Sequence, residues 1–134
     1  DTLEQRKYIY YNVKLKEDFS RMSEVQRENA PRAELEDGSV EYRLDFPAGE
    51  EYPTFLMKNS GKADLHIFRV QPDSERIKVL QAPESISPGS VSEFRFSADF
   101  SALGKDSETL YLVSIYTDSP FESVVHLYIN AIIL

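Results

Sequence analysis

The sequence predicts an all-β fold, a β-sandwich of about seven to eight antiparallel strands. Apolar and polar residues alternate with a period of two through most of the chain, and turn residues recur every ~8–12 positions. From Tyr52 onward the strand patterns follow one another with only turns between them, which is not the pattern of a βαβ fold. Polar residues such as Arg43, Asp45, Glu93, Arg95, Ser97 and Asp99 fall on the faces opposite the apolar positions, and no glycine periodicity marks the corners of a closed barrel.

The elements follow in order. Ile9, Tyr11, Val13 and Leu15 alternate with Tyr8, Tyr10, Asn12, Lys14 and Lys16, the pattern of a strand with one buried face. Phe19, Met22 and Val25 then recur three apart, and Ser23 with Gln26 can form a capping box, so the sequence allows a short helix from about Phe19 to Asn29. Ala30-Pro31 ends it, and a charged connection runs from Arg32 to Gly38. Tyr42, Leu44 and Phe46 restart the alternation until Pro47-Ala48-Gly49 breaks it. Residues 1–41 are therefore expected to pack on or extend a sandwich domain spanning residues 42–134.

Phe55 and Met57 lead into Asn59-Ser60-Gly61, and Leu65 and Ile67 lead out of it. Asn and Gly tolerate positive φ, so the triplet reads as a tight turn closing a β-hairpin with Gly61 in a positive-φ position. Ile77 and Val79 form a short strand before Pro83 and the Ser87-Pro88-Gly89 turn. In the next strand Phe94, Phe96, Ala98 and Phe100 point one way, and Glu93, Arg95, Ser97 and Asp99 the other. Gly104-Lys105 interrupts. Leu110 to Thr117 is nearly continuously apolar, as expected of a central strand covered on both faces, and Asp118-Ser119-Pro120 closes it. Val125, Leu127, Ile129, Ala131 and Ile133 make the last strand. Phe94, Phe96, Leu127 and Ile129 are the predicted core.

Composition narrows the function. At 134 residues the chain has the size of one domain, and no apolar run approaches the length that crosses a bilayer. A net charge of −8 repels phosphate backbones and anionic headgroups over most of the surface, which argues against nucleic acid and direct membrane insertion. With no cysteine, disulfides, thiolate metal sites and a Cys nucleophile are excluded, while any compartment stays open. Residue 1 is a polar Asp with no basic, apolar leader, so the expectation is a cytoplasmic protein or a mature form.

The order of signals from Tyr42 to Leu134 resembles bacterial immunoglobulin-like domains of the abnormal-spindle and major-sperm-protein-like group, including an envelope-associated family of unknown function. The matching residues are Asn59-Ser60-Gly61, Leu65-His66-Ile67, Ile86-Ser87-Pro88-Gly89, Tyr116-Thr117-Asp118-Ser119-Pro120 and Leu127-Tyr128-Ile129-Asn130-Ala131-Ile132-Ile133. The resemblance implies a non-enzymatic interaction module, often attached to exported proteins, with no catalytic residues and a cell-envelope location. It departs from the family at Gln71-Pro72-Asp73-Ser74-Glu75-Arg76, where many members carry two cysteines, so no thiol or metal role carries over to that loop.

Candidate chemistry is sparse. His66 and His126 are the only histidines, and without cysteine a zinc site would depend on carboxylates. A hydroxyl nucleophile would need one of them between a Ser and an Asp, with Ser114 and Ser123 available, but no Gly-x-Ser-x-Gly elbow occurs. Glu34, Glu36, Asp37, Glu50 and Glu51 crowd the middle of the chain, and Asp99, Asp106 and Asp118 sit near turns, yet no Asp-x-Asp-x-Asp-Gly calcium loop appears. The one basic segment, Arg6 to Lys16, interleaves aromatics. Tyr8 and Tyr10 with Lys14 and Lys16 make either a stacking platform for sugar rings or an edge strand whose lysines discourage pairing. No catalytic residue, metal or cofactor is assigned. The expected partner is another protein or neighbouring domain, with a glycan as the alternative. Asn59, Gly61, Pro88 and Gly89 are expected to act as structural turn residues.

Overall fold

The computed structural model describes residues 28–134. The strand expected at Tyr8–Lys16, the helix expected near Phe19, and the site residues Tyr8, Tyr10, Lys14 and Lys16 lie outside the described residues. Among the described residues there are ten strands: β1 (Ala33–Leu35), β2 (Ser39–Leu44), β3 (Glu50–Glu51), β4 (Thr54–Asn59), β5 (Leu65–Pro72), β6 (Ile77–Gln81), β7 (Ser85–Ile86), β8 (Val91–Asp99), β9 (Ser107–Thr117) and β10 (Val124–Ile133). They form two facing five-stranded sheets, β1-β4-β8-β3 with β6 also on β8, and β2-β10-β9-β5-β7. This is the β-sandwich that the alternation predicts, in the immunoglobulin-like form that the resemblance implies. Among the described residues no helix is long and apolar enough to cross a membrane.

Strand β8 organises the first sheet. Its residues Val91–Arg95 pair with β4, and Ala98 and Asp99 pair with β3, so Glu50–Asn59 is in effect one strand interrupted at Tyr52-Pro53. Pro53 has no N–H to give to a ladder, but its carbonyl accepts Phe96 N at 3.0 Å. All pairings are antiparallel except β2 with β10, where Ser39–Leu44 runs parallel to Tyr128–Ile133. The chain enters the first sheet as β1 and crosses at Glu36-Asp37-Gly38 to enter the second as β2. The two edge pieces thus lie in different sheets.

The inward residues meet in one core. Phe94, Phe96, Ala98 and Phe100 from the first sheet face Val113, Ile115, Leu127, Ile129 and Ala131 from the second, all fully buried. Phe55 meets Phe96 edge-on with ring centroids 5.9 Å apart, and Phe100 stacks on Tyr111 at 6.0 Å, the offset geometries that aromatic quadrupoles favour.

Two expectations need correction. Asn59-Ser60-Gly61 does not close a hairpin: β4 pairs with β1 and β8 in the first sheet, while β5 pairs with β9 and β7 in the second. The triplet is a corner that carries the chain from one sheet to the other. Strand β9 is not covered on both faces either. Tyr111, Val113, Ile115 and Thr117 are buried, but Leu110 is 59% exposed and Leu112, Ser114 and Tyr116 are half-buried. A continuous apolar run marks this strand because its outward side chains are apolar too.

Candidate functional site

The outer faces of the two sheets differ in composition. On the first sheet the outward positions of β4, β8 and β6 mix Leu56 and Val91, both exposed, with Thr54, Lys58, Glu93, Arg95, Asp99 and Lys78, and Arg95 Nε pairs with Glu93 at 3.3 Å. On the second sheet, alternation turns Leu110, Leu112, Ser114 and Tyr116 of β9 outward beside Val124, His126, Tyr128, Asn130 and Ile132 of β10. The register lays them in rows. Tyr116 lies opposite Val124, Ser114 opposite His126, Leu112 opposite Tyr128, Leu110 opposite Asn130, and Glu108 opposite Ile132. Strand β2 extends the lower rows with Ser39, Glu41 and Arg43. The rings of His126 and Tyr128 lie 6.5 Å apart. A bulge between Ile67 and Arg69 leaves Phe68 on the neighbouring strand 70% exposed. This aromatic and aliphatic face is the candidate site. Its sequence signal was the apolar run of β9 together with the outward Tyr128 and Ile132.

At one end of the face a groove of about 300 Å³ is lined by Ser39, Val40, Glu41, Glu108, Leu110, Tyr128 and Asn130. Asn130 Nδ2 donates to Glu108 Oε2 at 2.9 Å, while its Oδ1 is buried with no hydrogen-bond partner among the described residues. Arg43 Nε donates to Glu41 Oε2 at 3.1 Å, so Glu41 is neutralised within its own strand. Among the described residues no cation pairs with Glu108.

The histidines do not assemble a nucleophile. His66 Nδ1 and Asp118 Oδ2 are 2.8 Å apart, and His66 N also donates to Asp118 Oδ1 at 2.8 Å. Among the described residues no hydroxyl hydrogen-bonds its other ring nitrogen, although Ser85 lies opposite it in register. His126 meets Ser114 Oγ at 3.3 Å, and no carboxylate among the described residues pairs with its ring. Each histidine therefore has one of the two partners that nucleophilic catalysis needs. Ser123 contributes its backbone carbonyl to Thr117 N.

Two carboxylates, Asp99 and Glu122, have displaced pKa values, and both are engaged by near neighbours. Glu50 and Asp99 lie side by side in register and line a polar cleft with Arg76 and Lys78. Ser101, through its hydroxyl and then its backbone amide at 2.9 Å, holds the exposed Asp99 carboxyl below its usual range, the opposite of a general acid. Glu122 is pushed up by burial, against the attraction of Arg32 at 3.6 Å, but it is committed to that ion pair and to Ser119. Among the described residues no group of three or more His, Asp or Glu side chains is placed to hold a metal ion.

Asn59, Gly61 and Gly89 sit at chain reversals with different local surroundings. Asn59, fully buried at an inward position of β4, uses all of its amide. Its Oδ1 accepts Arg32 N at 3.2 Å and Gly61 N at 3.0 Å, and its Nδ2 donates to Ala63 O at 2.7 Å and Ile86 O at 2.8 Å. Gly61 has no positive φ; instead a Cβ there would sit 2.6 Å from Arg32 N and 2.7 Å from Pro31 Cα. Pro88-Gly89 is the expected turn, with Gly89 at φ 77° and Ser90 N donating to Ser87 O at 3.0 Å.

No known family profile matches the sequence, and no curated protein matches it either. Solved structures share the fold. A protein of unknown function from Porphyromonas gingivalis W83 superimposes with a TM-score of 0.68 at 15% identity, over 85% of this chain and 50% of that one. This chain thus spans half the length of that protein. PapD-like domain 7 of human CEP192, an ASH domain, gives a TM-score of 0.58 at 9% identity, over 85% of this chain and 91% of that one. The E. coli chaperone DraB gives 0.53 at 16% identity, over 77% of this chain and 55% of that one. At such identities the likeness establishes the PapD-like, immunoglobulin-like fold.

Proposed function

We propose that this domain is a non-enzymatic binding module that recognises another protein through the outer face of the β2-β10-β9-β5 sheet. The observation that carries the reading is the grouping on the second sheet's outer face, where the exposed Leu110 and Tyr128 lie in adjacent rows with the half-buried Leu112, Tyr116 and Ile132, whereas on the first sheet Leu56 and Val91 are interspersed with Lys58, Glu93 and Arg95. Exposed apolar and aromatic residues grouped on one rigid surface are characteristic of interaction sites. The split partners of the two histidines and the committed carboxylates leave chemistry without a centre among the described residues. The envelope location implied by the resemblance to bacterial immunoglobulin-like domains is part of the proposal.

The test compares capture of partners from a native envelope fraction by the unmodified domain and by two paired variants. Leu110→Ser with Tyr128→Ser should lose the specific partner while the thermal transition stays within a few degrees. Glu93→Gln with Arg95→Gln, on the first sheet's outer face, should retain it. Equal capture by both variants would move recognition to another surface. Binding of a neutral oligosaccharide, lost in the Leu110/Tyr128 variant, would replace the protein partner with a glycan.

A further inference from the structure

We infer that the groove between β2, β10 and β9 is a pocket for a cationic side chain, an arginine presented by the partner protein. The inference rests on the binding-module reading and assigns a ligand chemistry to one end of that face. The groove's unmet groups are acceptors. Glu108 keeps a carboxylate oxygen beyond the one engaged by Asn130 Nδ2, and Asn130 Oδ1 has no donor among the described residues. Turning the amide over would set Oδ1 against the Glu108 carboxylate, so the 2.9 Å bond fixes the amide orientation and leaves its acceptor orphaned. Oδ1 is itself buried, so a ligand in the groove reaches it as the lining side chains adjust.

A guanidinium answers each feature. It carries only donors, in a planar fork that can serve a carboxylate oxygen and a carbonyl together, and its charge complements Glu108. Leu110 provides an apolar wall for the methylene stem, and the 41%-exposed Tyr128 ring provides a face for a cation to stack on. Glu41 adds negative field at the rim, although Arg43 already offsets it. An anion would meet two carboxylates and a carbonyl oxygen. A neutral sugar could donate hydroxyls but would leave Glu108 without a counter-charge.

The test is an amide-correlation NMR titration of the chain with acetyl-arginine amide, against acetyl-citrulline amide, which keeps the shape and removes the charge. The arginine probe should give saturable shifts at Glu108, Leu110, Tyr128 and Asn130, and the citrulline probe should bind about fivefold or more weakly. Glu108→Gln lies at an exposed position, so its remaining spectrum should report an intact fold while the arginine response falls by a similar factor. Equal shifts from both probes, or an arginine response unchanged in Glu108→Gln, would overturn the assignment. So would saturable shifts at these residues from cellohexaose alone. Failure here, with partner capture still sensitive to Leu110 and Tyr128, would remove the arginine pocket and leave the binding face standing.

Discussion

Gly61 and Gly89 are both turn glycines, yet the physics that requires glycine differs between them. At Gly89 the backbone sits at φ 77° with nothing within 4 Å of an added Cβ, so alanine meets only the left-handed conformational cost of ~1 kcal/mol. At Gly61 the conformation is ordinary, but a Cβ would collide with the backbone of Ala30, Pro31 and Arg32, which cannot swing aside as a flexible side chain would. Gly61→Ala is therefore expected to destabilise more than Gly89→Ala, by about 2 kcal/mol or more in urea unfolding. The reverse order would mean that the 30–32 segment yields freely. Both glycines were legible as turn residues, because Asn-x-Gly and Pro-Gly favour chain reversal locally. The close approach at Gly61 was not legible, because it depends on a segment about thirty residues earlier in the chain. A clue did exist at Asn59. It occupies the inward position after Phe55 and Met57, where a polar residue belongs only if its hydrogen bonds are met inside.

Glu122 provides a residue-scale prediction with a sign. Its folded pKa is raised, chiefly by burial, so the folded state prefers the protonated form more than the unfolded chain does. The unfolded chain therefore releases this proton first as pH rises. The contribution from Glu122 is most favourable below the ordinary carboxylate pKa and falls as pH climbs through the raised folded value. Subtracting the melting curve of Glu122→Gln from that of the unmodified protein, from about pH 4 to pH 7, should show the unmodified protein losing relative stability with rising pH. A difference that rises with pH would mean that the Arg32 ion pair outweighs burial.

Among the elements, β8 was the most legible and β9 the least. In β8, strict alternation of aromatic with charged residues corresponds to one core face and one wet face, and Phe94, Phe96 and Ala98 are fully buried as expected. Phe96 packs edge-on against Phe55 and is covered on all sides, so Phe96→Ala should cost on the order of 3–5 kcal/mol. A change below about 1 kcal/mol in urea unfolding would contradict this register. In β9, outward Leu110, Leu112 and Tyr116 have the same composition as inward residues, and periodicity cannot separate a doubly buried strand from one whose exposed face is apolar. The proposed binding face was hidden by the same apolar composition that marks it out. The same ambiguity explains the false hairpin. Two alternating strands around a turn signal look alike whether they pair with each other or part into different sheets, since local sequence does not encode which neighbours each strand finds.

At the scale of the whole molecule, the two sheets are joined at one end by residues 30–32. Lys62 N donates to Ala30 O at 3.3 Å and Ser60 N to Arg32 O at 3.0 Å, which ties this segment to the corner between β4 and β5. On its other side Ser119 Oγ donates to Pro31 O at 2.8 Å, and the Arg32 guanidinium lies 4.3 Å from the Phe121 ring centroid, which ties it to the loop between β9 and β10. Ser119, 1% exposed, is the pivot, for its Oγ also accepts Phe121 N at 3.2 Å and Glu122 N at 3.1 Å. Ser119→Ala removes one donor and leaves two amides without their acceptor, a loss of about 2 kcal/mol. If the segment works as a clasp, the loss cannot stay local. Hydrogen exchange should accelerate at Phe121 and Glu122 and, across the molecule, at Ser60 and Lys62, whose bonds rely on the segment being held from the opposite side. Acceleration confined to Phe121 and Glu122 would show that the corner holds residues 30–32 unaided and that the two sheets open independently at this end.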